Sequence, residues 1–272
     1  MGAPAQETYS AEQHQPAATE VAIRAQNLAR ELAGVQAVKN ITFEARFGSI
    51  VGLLGPNGAG KTTTLRILAG LLAPSQGTVE ICGLRLPENQ SAIKRQVGFL
   101  TSGMRLYDAF SPIESMAYFG SLHELERSAL KHRIAQLVQD FGMQAFARKP
   151  FGKLSAGEKQ RATIANTLVH DPRILILDEI TLSLDVHSSA FILDFVRRER
   201  ALGKCVIFST HIMSEAEYLC DEIALIHGGQ IIDRGSPPEL IARYRGANLT
   251  AAFLSAVEQS GKAGLAACSS GD

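Results

Sequence analysis

Cysteine is scarce in this chain of 272 residues: Cys82, Cys205, Cys220 and Cys268 are its whole complement. They form no CxxC pair and no nearby histidine pattern completes a ligand set, so neither a disulfide framework nor a structural zinc site is expected, and a reducing compartment is. Net charge is lacking too. Lys plus Arg and Asp plus Glu stand at 27 each, which leaves no global attraction to nucleic acid or anionic lipid, only local patches. No stretch approaches the ~20 consecutive apolar residues of a membrane span, and the polar N-terminus lacks the basic-then-apolar order of a signal peptide. Work at a membrane would need a partner. With 46% hydrophobic and 20% charged residues the chain is ordinary for a globular protein, and its length suits one large α/β domain or two small ones.

What is present alternates between two periodicities. Residues 1–19, rich in Ala, Gln, Glu and Pro, and residues 259–272, with Gly261, Gly264, Ser269, Ser270 and Gly271, show no apolar period and read as tails. Between them, Ile50–Leu54, Ile174–Leu177 and Cys205–Phe208 are uninterrupted apolar runs suited to parallel strands buried on both faces, with helical stretches between: an α/β pattern. From Met104 to Leu154 no such run occurs. Ser111-Pro112-Ile113-Glu114 is a capping box with proline at the first helical position, and Leu122, Leu125, Leu130, Ile134, Leu137, Val138 and Phe141 continue a helical spacing, so a helical insertion is expected there. Gly228-Gly229, between Ile223–Ile226 and Gln230–Asp233, predicts a two-residue hairpin turn.

Residues 55–62 read Gly55-Pro56-Asn57-Gly58-Ala59-Gly60-Lys61-Thr62, directly after the strand-like Ile50–Leu54 and before a helical stretch expected over Thr63–Leu72. This is Gly-x-x-x-x-Gly-Lys-Ser/Thr in the strand, loop and helix context that a phosphate loop requires. The glycines let backbone N–H groups turn inward around phosphate oxygens, and the helix N-terminus that follows favours negative charge. Lys61 supplies a point charge for β- and γ-phosphates, and the Thr62 hydroxyl suits Mg²⁺. The alternative is a glycine-rich turn with an incidental lysine. The four fixed positions coincide by chance in about one chain of this length in a hundred, and the flanking elements make coincidence rarer still.

Ile174–Leu177 runs into Asp178-Glu179, which places two carboxylates at the C-terminal end of a buried parallel strand, where open α/β sheets bind ligands. Asp178 suits Mg²⁺ and Glu179 the polarisation of an attacking water. Cys205–Phe208 delivers Ser209, Thr210 and His211 to another strand end, which favours a γ-phosphate contact for His211. A single carboxylate or histidine in a loop is more often a cap or a structural group; paired carboxylates after four aliphatics are harder to assign that way. Leu154-Ser155-Ala156-Gly157-Glu158-Lys159-Gln160-Arg161 reads locally as one more capping box, Ser155 with Glu158.

Taken in order, the phosphate loop at 55–62, the segment 154–158, the carboxylate strand 174–179, Asp185 and His211 resemble the motifs of the ABC-transporter ATPases, with 154–158 in the place of the LSGGQ-type signature. The resemblance covers roughly residues 21–257. It implies a P-loop NTPase with a RecA-like α/β core, an antiparallel β subdomain and a helical signature subdomain. The ATPase domain would occupy 20–247 with its helical insertion at about 104–168, and 248–272 would form a short helix and a flexible tail. The ligands implied are ATP and Mg²⁺: Gly55 through Thr63 on the nucleotide, Thr62 and Asp178, with Ser102, toward the metal, Glu179 and His211 in catalysis. A composite site is also implied, in which Ser155, Gly157 and Glu158 of a second subunit, beside the loop ending at Asp185, cover the ATP of the first. A monomer would then hydrolyse ATP poorly.

The partners implied are that second subunit, as a homodimer, and a transmembrane permease docking on the helical insertion and holding the chain at the cytoplasmic face of the inner or plasma membrane. Neither nucleic acid nor a structural metal is expected. Val169-His170-Asp171-Pro172, Phe208–Glu215 and Gly229–Gly235 look most like bacterial exporter ATPases of the sodium-efflux, drug and polysaccharide type. Three positions depart from the family pattern: Leu32 stands where an aromatic usually stacks on adenine, Ser102 where a glutamine usually follows the strand Val97–Leu100, and Ser183 where the loop to Asp185 usually has glycine. Two other readings remain beside the exporter motor, a soluble ABC ATPase of translation or DNA repair and a weakly active regulatory subunit. The first usually has two cassettes or long coiled-coil arms, and one phosphate loop in 272 residues fits neither.

Overall fold

The computed structural model describes residues 20–182 and 184–269, with side chains through residue 260. The tail expected at 1–19, Ser183 and the last three residues lie outside the described residues. Two sheets organise the chain. The smaller is antiparallel, in the order β2 (Val35–Arg46), β1 (Val21–Leu32), β4 (Gln76–Ile81), β5 (Leu84–Arg85). The larger runs β10 (Gln230–Gly235), β9 (Glu222–His227), β3 (Ile50–Leu54), β8 (Cys205–Thr210), β7 (Ile174–Asp178), β6 (Val97–Thr101), with β10 antiparallel to β9 and the remaining pairs parallel.

The three apolar runs are the three central strands, and their period of two divides the core. Val51, Leu53, Ile174, Ile176, Cys205 and Ile207 face the antiparallel sheet and the phosphate-loop helix α1 (Lys61–Leu68). Ile50, Leu54, Leu175, Leu177, Val206 and Phe208 face the helices on the other side. Strands buried on both faces thus explain why those runs show no polar alternation. Helix α1 begins at Lys61 and stops at Leu68, short of the expected Leu72. Gly70, at φ 68°, turns the chain left-handed there and donates its N–H to the Ile67 carbonyl at 3.0 Å.

The helical insertion follows α2 (Gln90–Gln96) and β6. It contains α3 (Pro112–Leu122), α4 (Arg127–Asp140) and α5 (Ala156–Thr167), and no strand falls among its residues. The expected capping box starts α3, with the Glu114 carboxylate accepting from Ser111 N at 2.8 Å. The helical spacing through Phe141 is interrupted: Glu124 takes a positive φ of 59°, and the Glu126 carboxylate caps a new helix by accepting from Ser128 N at 2.8 Å and Ala129 N at 3.0 Å. After β7 come α6 (Val186–Ala201), β8, α7 (Met213–Leu219) and the expected β9–β10 hairpin, turned by Gly228 and Gly229 at φ 54° and 83°. α8 (Pro237–Arg243) leads to α9 (Leu249–Ser269). The tail expected from residue 259 is therefore helical as far as Ser269. Asn248 starts the helix by accepting from Ala251 N at 3.0 Å, and alanines at 263, 266 and 267 offset the low helix propensity of Gly261 and Gly264.

His123, at the end of α3, stacks on His170, before β7, with ring centroids 3.8 Å apart and planes within 3°. Burial lowers the pKa of both imidazoles; at His170, with His123 against it, the value falls to about 4. An unfolded chain protonates such groups below about 6.5, whereas folded His170 resists until about 4. The unfolded state therefore binds more protons inside that window, and stability is full above it and declines as pH falls through it, by on the order of 2 kcal/mol. His170→Asn is expected to flatten the fall of Tm between pH 6.5 and 4, read by thermal melts across that range.

Candidate active site

β3, β7 and β8 run in register, with Leu54 beside Thr210 and Asp178 beside Ser209, so their C-terminal ends form one edge. At that edge the phosphate loop leaves β3. Gly60 caps α1 at φ 99°, and a Cβ there would collide with the Ala37 carbonyl of β2. At Gly55 a Cβ would collide with the Ile226 carbonyl of β9. The first and last loop glycines are thus required by close backbone approach. Lys61 is 4% exposed; its Nζ donates to the carbonyls of Gly55 at 2.7 Å and Pro56 at 3.1 Å and lies 3.4 Å from Glu179 Oε1. Asn57, Gly58, Thr62 and Thr63 line the same cleft of about 370 Å³, with Thr101, Ser102, Asp178 and Glu179 closing its far wall.

Asp178 is buried and accepts a 2.5 Å hydrogen bond from the Ser209 hydroxyl, which fixes one carboxylate oxygen. Ser102 N donates to the Asp178 carbonyl at 3.0 Å, which holds Ser102 beside it. Glu179 sits at φ 52°, a left-handed conformation that costs about 1 kcal/mol or more in a residue with a Cβ. Its N–H donates to the Ser209 carbonyl at 3.1 Å, and His211 Nδ1 lies 3.3 Å from its Oε1. The strained backbone turns the carboxylate back over the phosphate loop instead of letting it follow the strand. Glu179 therefore touches both Lys61 and His211.

Ser155, Gly157, Glu158 and Asp185 do not line this cleft. Ser155 and Glu158 form the expected capping box of α5, Glu158 accepting from Ser155 N at 2.8 Å. Those hydrogen bonds from Ser155 hold the Glu158 carboxyl below the usual carboxylate range. Asp185 caps α6, accepting from Ser188 N at 2.9 Å and Ser188 Oγ at 2.8 Å, and its carboxyl is lowered for the same reason. A Cβ on Gly157 would lie 2.9 Å from Ser188 Oγ, so the signature and the Asp185 turn share one exposed patch. Leu32, at the end of β1, pairs with Val35 across the first hairpin, and both are exposed.

Between the loop and the far wall the cleft brings together oxygen donors: the Thr62 hydroxyl from the loop side, and the Ser102 hydroxyl and the second Asp178 carboxylate oxygen from the other. That donor set fits Mg²⁺, a hard cation that keeps part of its water shell. Bound there, the ion would neutralise phosphate charge. A second cavity, of about 590 Å³ and lined by Phe47, Arg133, Asp171 and Lys204, lies at the opposite ends of the strands and contains none of these residues.

The sequence pattern of the family described as "ABC transporter" matches residues 38–182. The chain belongs to that family. The ABC transporter ATP-binding protein NatA of Bacillus subtilis is 39% identical over 81% of this chain and 90% of its own. A Nod factor export ATP-binding protein I of Ralstonia nicotianae is 36% identical, over 79% of this chain and 67% of its own. A solved structure titled as the ATP binding subunit of an ABC transporter superposes with a TM-score of 0.80 at 26% identity, covering 87% of this chain and 99% of that one. This ABC ATPase binds ATP with Mg²⁺ and hydrolyses it as the ATP-binding subunit of a transporter. No described helix of it is long and apolar enough to cross a membrane.

Two features of the site are not legible in the residues alone: the Ser209 hydroxyl that fixes Asp178, and the buried Glu215 that accepts from Thr210. Glu215 lies in α7 and His211 precedes it, so no helical period links the two.

Proposed function

We propose that the chain is the motor of an exporter and that two copies close on ATP and separate on hydrolysis. The observation that carries this reading is the division of the motif residues: Lys61, Thr62, Asp178 and Glu179 share a cleft, whereas exposed Ser155 and half-buried Gly157 lie outside it. One chain then lacks a cover for its own nucleotide, and a second copy supplies it through a serine hydroxyl and a helix N-terminus. Thr62 and Asp178, with Ser102 beside them, hold Mg²⁺; Lys61 and the loop N–H groups hold the phosphates; Glu179 orients the attacking water and His211 contacts the γ-phosphate. That two relatives are Nod factor export ATP-binding proteins supports the outward direction.

The permease is proposed to dock on the helical insertion, holding the chain at the cytoplasmic face of the membrane. Tyr107, Phe110, Tyr118 and Phe119 form a run of ring contacts at 5.4, 6.2 and 5.4 Å, flanked by exposed Leu122. Exposed aromatic and aliphatic side chains in one patch mark an interaction surface. Tyr118→Glu combined with Leu122→Glu is expected to release the chain from membranes of the cells that express it, while ATP binding by the purified chain is unchanged. Full retention on those membranes would contradict the docking.

A further inference from the structure

Glu215, in the first turn of α7, is a buried carboxylate, 9% exposed, and no Lys or Arg pairs with it among the described residues. Its Oε2 accepts two hydrogen bonds of 2.9 Å, one from Thr181 Oγ1 and one from Thr210 Oγ1. Burying an ionisable group against two hydroxyls is unfavourable compared with an apolar side chain of the same size, so what those hydroxyls hold is informative. Thr210 immediately precedes His211, and its oxygen also accepts from Ile212 N at 3.0 Å. A carboxylate only accepts, so it draws the Thr210 hydrogen to itself and leaves the Thr210 lone pair for the turn that carries His211.

Thr181 lies two residues past Glu179 in the turn toward Asp185, where Leu182 N donates to the Glu179 carbonyl at 3.1 Å and Leu184 N to the Thr181 carbonyl at 3.2 Å. From the other side, Gln160 of α5 donates to the Ile180 carbonyl at 2.8 Å. The segment leaving Glu179 is thus clamped between α5 and α7, and the clamp on the α7 side is the same oxygen that sets the His211 turn.

We propose that Glu215 is a positioning residue for hydrolysis: it locks the turn that leaves Glu179 through Thr181 and Leu182 to the His211 turn, so that the two groups meet and a displacement of either turn moves the other. The inference rests on the reading of Glu179 and His211 given above. Glu215 touches neither nucleotide nor water; it acts through Thr181 and Thr210.

The experiment measures steady-state kinetics, ATP affinity and Tm for Thr181→Val, Thr210→Val, Glu215→Leu and Glu215→Gln. Each valine variant is expected to lower kcat about tenfold with the KM and Kd for ATP within about twofold, because the phosphate loop is untouched while the reacting groups are misplaced. Combining Thr181→Val with Thr210→Val is expected to lose less than the product of the single effects, since both act through one oxygen. Glu215→Gln keeps an oxygen that accepts both hydroxyls and is expected to restore kcat to within about threefold of wild type. Should Glu215→Leu fail to fold, the valine variants, each removing one hydroxyl, decide the matter. Valine variants with wild-type kcat, or with kcat and ATP affinity falling together, overturn the proposal. Glu179→Gln separates the two readings: if it abolishes turnover while the valine variants keep wild-type kcat, only the role of Glu215 fails, and if it leaves turnover unchanged, the assignment of the base fails.

Discussion

Glu179→Gln lowers steady-state ATP hydrolysis by roughly 10²–10⁴-fold while ATP binding persists. The prediction follows from where Glu179 points. Its backbone is held at φ 52° by the bond from its N–H to the Ser209 carbonyl, and its carboxylate reaches Lys61 and His211 at the mouth of the phosphate-loop cleft. A glutamine amide has the same reach and keeps one oxygen, so the turn survives, but the amide does not take a proton from water. Removing the negative charge also relieves repulsion of the phosphates, which is why affinity is retained. Hydrolysis of radiolabelled ATP beside equilibrium binding of a fluorescent analogue measures both quantities. Unchanged turnover would remove Glu179 from the role of base.

Ser155→Arg abolishes dimer-dependent hydrolysis by a different route. The serine hydroxyl accepts from Glu158 N at 3.3 Å and starts α5, so its replacement removes a helix cap and lowers stability by about 1 kcal/mol. That loss leaves the domain folded. What the arginine adds is bulk and charge on the exposed patch shared with Gly157 and the Asp185 turn, the surface proposed to cover the partner's nucleotide. Since Ser155 does not line the chain's own cleft, ATP binding by the isolated chain is expected to be unchanged while turnover falls by about 10² or more. A parallel loss of ATP affinity would place Ser155 in its own chain's site instead.

Legibility of the sequence varied with how directly each residue's environment follows from its neighbours along the chain. The central strands were plain because burial on both faces writes itself as unbroken runs such as Ile174–Leu177. The capping boxes at Ser111 and Ser155 were equally plain, since their chemistry is complete within four residues. The antiparallel sheet was reached only through family resemblance. The pairing of β1 with β2 shifts register between Ala25 and Leu28 and again between Leu28 and Arg30, and each shift breaks the two-residue alternation that would have disclosed the strands. The helical insertion was visible as a gap between strands, but its break at Glu124 depends on a positive φ that acidic residues only occasionally adopt.

Within the site, residues 55–62 and Asp178-Glu179 could be assigned because each element places its own chemistry at a strand end. The contacts that unite them cross long stretches of sequence: Lys61 to Glu179, Ser209 to Asp178, Thr181 to Glu215. No local period encodes such contacts. They follow from the parallel register that brings Leu54, Asp178, Ser209 and Thr210 to one edge of the sheet.

The central claim is that a working site takes its phosphate loop from one copy and its signature from another. Mixing two inactive chains, Glu179→Gln and Ser155→Arg, tests it directly. In a mixed dimer one site carries both defects and the other carries none, so steady-state hydrolysis is expected to rise to about a quarter of the wild-type rate at equal proportions, if pairing is random and sites act independently. Activity that stays at the sum of the separate chains, while differently tagged copies demonstrably co-purify as mixed dimers, would contradict the composite site.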